Sequence, residues 1–213
     1  MYKKFIKRFA DIVISGLGII ILFVPMLVIA LITVIDSPGP FFFKQDRVGI
    51  HKKLFKIFKV RSMPVDTPSD VPTHLITDTA SRLSGWQKFI RKTSIDEIPQ
   101  LLNIFVGHMS IIGPRPALYN QDDLIEERDK YGANDIRPGL TGWAQINGRD
   151  ELEIPVKAAL DGEYVEKQSF LFDCKCFFGT IKAVLKHDGV VEGGTGELER
   201  QAAEAKEKEE AKV

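Results

Sequence analysis

Between Ile12 and Ile35 the chain runs for 24 residues without a charge. That exceeds the length a helix needs to cross a bilayer. It is too long for the apolar region of a secretory signal, and no small-x-small cleavage site follows it. Pro25 falls near its middle and would interrupt the helical hydrogen-bond ladder there. Downstream, apolar and polar positions mix at shorter range. Leu54–Val60 mixes apolar and cationic residues and reads either as a strand or as a surface amphipathic segment. Leu83–Ile90, Asn120–Lys130 and Glu151–Gln168 carry helical spacing. In the second of these, Glu126, Glu127 and Asp129 read as a solvated face. Phe170, Leu171, Phe172, Phe177 and Phe178 form an aromatic group that is either core or a second membrane contact. Turn residues punctuate the rest: Asp36-Ser37-Pro38-Gly39-Pro40 closes the apolar run, and 64–72 reads as a loop. The pattern contains no repeats.

Charge changes the picture of the apolar run. The protein has 213 residues, 29 Lys/Arg and 29 Asp/Glu. Residues 1–61 nevertheless hold eleven basic and three acidic side chains, so the front is net +8 and the remainder net −8. A basic front points to an anionic surface near that end. Lys3, Lys4, Lys7 and Arg8 precede the run, and Lys44, Arg47, Lys52, Lys53, Lys56 and Lys59 follow it. Under the positive-inside rule both flanks belong in the cytoplasm. A helix that enters, bends at Pro25 and returns satisfies this as well as a simple span satisfies the length. Phe41, Phe42 and Phe43 beside Lys44 and Arg47 suit the headgroup layer. Cys174 and Cys176 form a lone C-x-C, so a zinc site or disulfide framework is not indicated, and reduced thiols are expected.

Candidate chemistry concentrates in two stretches. The first, Arg91–Pro116, places Asp96 and Glu97 just after Arg91 and Lys92 and ahead of Pro99, an apolar run and a Gly-Pro-Arg-Pro turn. Thr93 and Ser94 are good N-cap residues, which predicts the acid pair at or near a helix N-terminus. That end carries free N–H groups and partial positive charge, and would hold carboxylates ionised and accept a phosphate. Ser94-x-x-Glu97 equally fits an ordinary capping box with no chemistry. The second stretch, Arg137–Arg149, has three glycines and a proline, which predicts a close, non-helical backbone. Arg137 and Arg149 offer forked donors to phosphate, and Trp143 offers a face to a base or sugar.

Four motifs in order, SPGPFFFKQDRVG (37–49), KTSIDEIPQL (92–101), MSIIGPRP (109–116) and RPGLTGWAQINGR (137–149), make residues 4–194 resemble the bacterial sugar transferases, the monotopic phosphoglycosyl transferases. The resemblance implies an α/β, mostly α fold. A re-entrant membrane hairpin over residues 1–40 would be followed by a small cytoplasmic catalytic domain with amphipathic surface helices over 41–194, and a charged tail over 195–213. It implies transfer of a phosphosugar from a UDP-sugar to polyprenol phosphate at the bacterial inner membrane, with release of UMP. Asp96 would be the nucleophile and Glu97 would help hold Mg²⁺, or Mn²⁺. Arg91, Arg115 and Arg149 match family arginines near the diphosphate; Arg137 and Trp143 remain substrate-binding candidates from the residue pattern of their own stretch. The expected partners are the UDP-sugar, polyprenol phosphate and inner-membrane lipid, with a homo-oligomer open and no nucleic acid. Val24-Pro25 departs from the Ser-Pro found at the bend in some members, so a hydroxyl that could satisfy freed backbone groups is missing. Two other activities fit parts of the pattern: a non-catalytic membrane-anchored binding protein, and a direct glycosyl transferase releasing UDP.

Overall fold

The computed structural model describes residues 2–67, 82–148 and 152–186. After a π-helical turn, Tyr2–Ile6, a single helix α1 spans Lys7–Asp36 and carries Pro25 in its interior. Its 30 residues correspond to about 45 Å, and it is long and apolar enough to cross a membrane. Few of its side chains are covered: Ile20, Ile21, Phe23, Val24, Leu31 and Ile35 are all at least 60% exposed. The polar residues are the buried ones, Asp11, Ser15 and Thr33 among them.

Two strands follow as an antiparallel hairpin, β1 (Phe42–Val48) and β2 (Leu54–Val60), with Phe42 opposite Val60 and Val48 opposite Leu54. Leu54–Val60 is therefore a strand. Phe55, Ile57 and Lys59 share one face by the two-residue period of a strand. Phe55 and Ile57 pack with Ile104 and Met109 in the first core cluster. Helix α2 (Gly85–Lys92) starts at Ser84, whose hydroxyl accepts from the Gln87 N–H while the Gln87 side chain accepts from the Ser84 N–H. The capping box thus sits ten residues before the one that the Ser94-x-x-Glu97 spacing suggests. Thr93 ends α2, its hydroxyl donating back to Phe89 O, and Ser94 adopts φ +56° with no side-chain cap. Ile95–Glu97 form a 3₁₀ turn that leads through Pro99 into α3 (Gln100–Val106).

The remainder interleaves short strands with helices. Strands β3 (Ser110–Ile112) and β4 (Gly139–Thr141) pair in parallel, Ser110 with Gly139 and Ile112 with Thr141. Helix α4 (Asp122–Asp129) lies between them in sequence. A one-turn helix α5 (Trp143–Ile146), then α6 (Ile154–Lys167) and α7 (Phe170–Lys186), complete the described fold. The described part of the 137–149 stretch, 137–148, is thus a strand and a helical turn rather than a non-helical loop. Its glycines are required by contact: a Cβ on Gly142 would lie 2.1 Å from the Gly113 carbonyl oxygen. The Phe170–Phe178 group divides. Phe172 packs against the Ile112, Tyr164 and Cys176 core, while Phe170, Leu171, Phe177 and Phe178 remain exposed. Cys174 and Cys176 are free thiols, and burial pushes Cys176 up to about 12.

One domain holds both ends of α1. Near its start, Lys7 Nζ pairs with Asp173 on α7 at 2.6 Å, and Arg8 donates to the carbonyls of Ile104 and Phe105 at 2.6 and 2.8 Å. Asp11 accepts from Ser110 Oγ and the Ile111 N–H at 3.1 and 2.9 Å. At its far end, Trp86 Nε1 donates to Thr33 Oγ1 at 3.0 Å and Ser84 Oγ donates to Asp36 at 2.6 Å. Arg61 donates to the carbonyls of Ser37 and Pro38 just beyond it.

Candidate active site

The acid pair lies where the hairpin, the 3₁₀ turn and the Gly-Pro-Arg-Pro turn converge. Asn103 on α3 fixes the first junction: its amide accepts from the Phe58 N–H at 3.0 Å and donates to Lys56 O at 2.8 Å. Arg47 on β1 fixes the second by donating to Pro116 O at 3.0 Å. With both in place, Lys59 extends from the inward face of β2 to Glu97 Oε1 at 2.8 Å, and Arg115 reaches the same oxygen at 2.8 Å. Asp96 is 7% exposed, with Ser62 Oγ 3.4 Å from its Oδ2.

The two carboxylates differ in environment. Burial pushes Asp96 up to about 6, with the adjacent Glu97 charge adding to it and Lys59, Arg91 and Arg115 opposing. Burial also acts upward on Glu97, but Arg115 and Lys59 outweigh it and hold that carboxyl well below its ordinary value. Glu97 is thus a firmly ionised anion, while Asp96 is an anion at neutral pH with a pKa close enough to 7 to retain basicity. Asp96 lies within the 3₁₀ turn, ahead of the first residue of α3, and desolvation is the largest influence on its carboxyl.

Two cavities meet at the pair. On the Asp96 side is a basic one of about 170 Å³, whose lining includes Lys44, Arg47, Lys59, Arg61 and Arg91. The Arg91 and Arg61 Nε atoms there are buried and have no partner among the described residues. On the Glu97 side is a larger groove of about 380 Å³, lined mainly by apolar residues of α3, β3, β4, α5 and α7, with Arg115 and Gln145 in its wall. The charge of the first suits a diphosphate.

Of the expected site residues, the structure brings Asp96, Glu97, Arg91 and Arg115 together. Arg137 donates to Gly107 O at 2.9 Å, past the far end of α3. Trp143 donates to Glu163 at 2.7 Å and packs on Phe172, with Lys175 Nζ 4.4 Å from its ring centre. Arg149 lies outside the described residues, as does the 195–213 tail. Sequence reasoning passed over Lys59, Ser62, Arg47 and Arg61. For Lys59 a signal existed in strand parity, since 55, 57 and 59 share a face; the others depend on chain crossings that no local pattern encodes.

A metal fits this donor set. Mg²⁺ commonly takes one or two protein carboxylates and completes its shell with substrate phosphates and water. Among the described residues no group of three or more His, Cys, Asp or Glu side chains could form an all-protein cage. Glu97, with Asp96 beside it, would supply the carboxylate share. Lys59 and Arg115 both address Oε1.

Comparison with known proteins places the chain in context. The family model described as bacterial sugar transferase matches residues 2–187. An uncharacterized sugar transferase, EpsL, of Bacillus subtilis is 41% identical over 152 residues, covering 71% of this chain and 73% of the relative. A UDP-glucose:undecaprenyl-phosphate glucose-1-phosphate transferase of Escherichia coli is 37% identical, covering 84% of this chain but only 40% of the longer relative. The exopolysaccharide production protein PSS of Rhizobium leguminosarum is 36% identical, covering 84% of this chain and 95% of the relative.

Proposed function

The chain belongs to the bacterial sugar transferases, and from that premise we propose that it transfers a sugar 1-phosphate from a UDP-sugar to undecaprenyl phosphate, releasing UMP, through a phosphosugar held on Asp96. The observation that carries this is the pairing of a buried carboxylate of raised pKa with a firmly ionised neighbour, at the edge of a basic cavity.

Asp96 attacks the β-phosphorus of the donor. A carboxylate O–P bond forms, the bond from that phosphorus to the bridging oxygen breaks, and the oxygen leaves on UMP. In the second step an oxygen of the acceptor phosphate attacks the same phosphorus and Asp96 departs as a carboxylate, leaving a lipid-linked diphosphate sugar. Arg91, Lys59 and Arg115 offset the charge that collects on the phosphoryl oxygens. Ser62 and the surrounding burial hold Asp96 in place and limit access of water to the acyl-phosphate. When bound, Mg²⁺ would supply Lewis-acid stabilisation of the diphosphate. Two steps through one nucleophile let a soluble and a lipid substrate use the site in turn, giving ping-pong kinetics.

The clamping of α1 supports a membrane arrangement for this reaction. Its first and last turns both bond to the same domain, and cations flank it on both sides. These observations support a re-entrant placement in the inner membrane with the domain on the cytoplasmic face. Pro25 cannot donate to the Ile21 carbonyl, which locally frees the ladder for a bend.

The test omits the lipid acceptor and measures the mass of the intact protein after incubation with UDP-sugar and Mg²⁺. A gain of one sugar-phosphate mass in the parent and none in Asp96→Asn is expected, with UMP in solution. Release of UDP would instead identify direct sugar transfer, and an adduct persisting in Asp96→Asn would remove Asp96 as nucleophile.

A further inference from the structure

The groove on the Glu97 side is unlike the basic cavity in both lining and position. Leu101, Ile111, Leu140, Ile146, Phe177 and Ile181 make most of its wall. Its α7 edge is formed by Phe177 and Ile181, which are 44% and 43% exposed, on a helix that also exposes Leu171 and Phe178. Leu101 in its wall backs onto α1: a Cβ built on Gly18 would lie 3.0 Å from the Leu101 side chain. Arg115 and Glu97 also line the groove. Apolar surface therefore runs from the flank of α1 and the open face of α7 to a cation beside the acid pair.

Gln145 adds a second, independent observation. It is 8% exposed and lines this groove, yet neither its Nε2 nor its Oε1 pairs with a described residue. A buried amide left unpaired is costly, which points to a partner that arrives with a ligand.

We propose that this groove seats the first isoprene units of the acceptor lipid, with its phosphate monoester against Arg115 and Gln145. The proposal rests on the transferase activity proposed above. Chemistry separates the two substrates. The donor is polar along its whole length, and burying sugar hydroxyls and a diphosphate against Leu, Ile and Phe side chains would leave them unpaired. An isoprenoid has no polar group to satisfy and gains from every apolar contact. Its phosphate monoester, with a second pKa near 6, offers oxygens to accept from Nε2 and, when singly protonated, an O–H to donate to Oε1. Donor and acceptor thus approach the acid pair from opposite sides, the first through the basic cavity and the second along the apolar groove.

The test uses the full chain in lipid nanodiscs with geranyl phosphate and undecaprenyl phosphate as acceptors. Ala183→Phe fills the groove while adding apolar surface to α7, so weaker membrane binding would not explain its effect. Ile181→Asn makes the edge polar. Leu171→Asn, on the same helix but outside the groove, is the control. The acceptor KM should rise about tenfold in both groove variants, the effect of losing contact with about two buried methylene groups. The donor KM and the UMP burst without lipid should match the parent, which also reports correct folding. An unchanged acceptor KM in both groove variants, or an equal rise in Leu171→Asn, overturns the groove as the acceptor site while leaving the transferase reaction intact. Absence of any UMP burst in the parent would overturn the transferase reaction itself, and the groove assignment with it.

Discussion

Replacing Asp96 by Asn should stabilise the protein while abolishing turnover. Burial raises this carboxyl from 3.8 to about 6 even against the attraction of Lys59, Arg91 and Arg115. A carboxyl raised in the folded state favours its protonated form there. Its contribution to stability is therefore fully present below pH 3.8 and is lost as pH rises through 6. At 1.36 kcal/mol per pH unit, the ionised side chain costs the fold on the order of 3 kcal/mol at pH 7.5. Asparagine has nearly the same shape and no charge to desolvate, so most of that cost disappears. For a domain of this size the gain corresponds to roughly 6–12 °C in Tm. The assay is thermal unfolding of parent and variant in nanodiscs at one scan rate, from pH 5 to pH 8, in excess chelator so that no cation contributes. The gap should be widest and level from pH 8 to about pH 7 and narrow as pH falls through 6 towards 5. A variant that melts at or below the parent at pH 7.5, or a gap that does not vary with pH, would show that Asp96 is not held as a desolvated anion.

Three further outcomes are expected. Glu97→Gln should act in the opposite sense, lowering stability by about 3–5 kcal/mol at neutral pH because Lys59 and Arg115 lose their buried counter-charge. Since Glu97 is depressed in the fold, this loss should shrink as pH falls below its ordinary value of 4.5, and a pH-independent Tm difference would contradict it. Turnover should vanish in excess chelator and return with Mg²⁺ or Mn²⁺; full activity with chelator present would exclude the proposed metal. Single cysteines placed at Lys3 and Lys53 should both resist an impermeant thiol reagent applied to intact cells, and labelling of either would place that flank outside.

Much of this molecule could be read before its coordinates. The 24-residue uncharged run, its cationic flanks and the adjacency of Asp96 and Glu97 are local features, and local features survive folding. The capping box shows where local reading stops. Ser84-x-x-Gln87 and Ser94-x-x-Glu97 both satisfy the pattern, but Ser94 is held at φ +56° where the chain turns from α2 into the acid pair, so its hydroxyl takes no capping role. Strands β3 and β4 have three residues each, too few for a period to register, and their pairing joins segments about 30 residues apart in sequence. The Arg128–Asp161 ion pair, buried at 2.5 Å between α4 and α6, left no mark in the sequence: Arg128 sits between Glu127 and Asp129, which read as a solvated face, and its partner is 33 residues away. Lys59 is the instructive case. Its parity places it inward, but only the position of the 3₁₀ turn across the hairpin decides that an inward lysine meets a glutamate rather than a void.

The clamping of α1 at both ends also bears on how such a chain reaches its membrane. In the re-entrant placement proposed above, a helix whose first and last turns belong to one folded body leaves neither of its flanks to be carried through the lipid. Each Lys or Arg placed at the centre of an inserting helix costs about 2.5–3.5 kcal/mol on the insertion scale, and in that placement none of the flanking cations would have to make the passage. Seating the helix would then be a partitioning event from one side, open to a domain that has already folded, and reversible in a way that threading a chain across a bilayer is not.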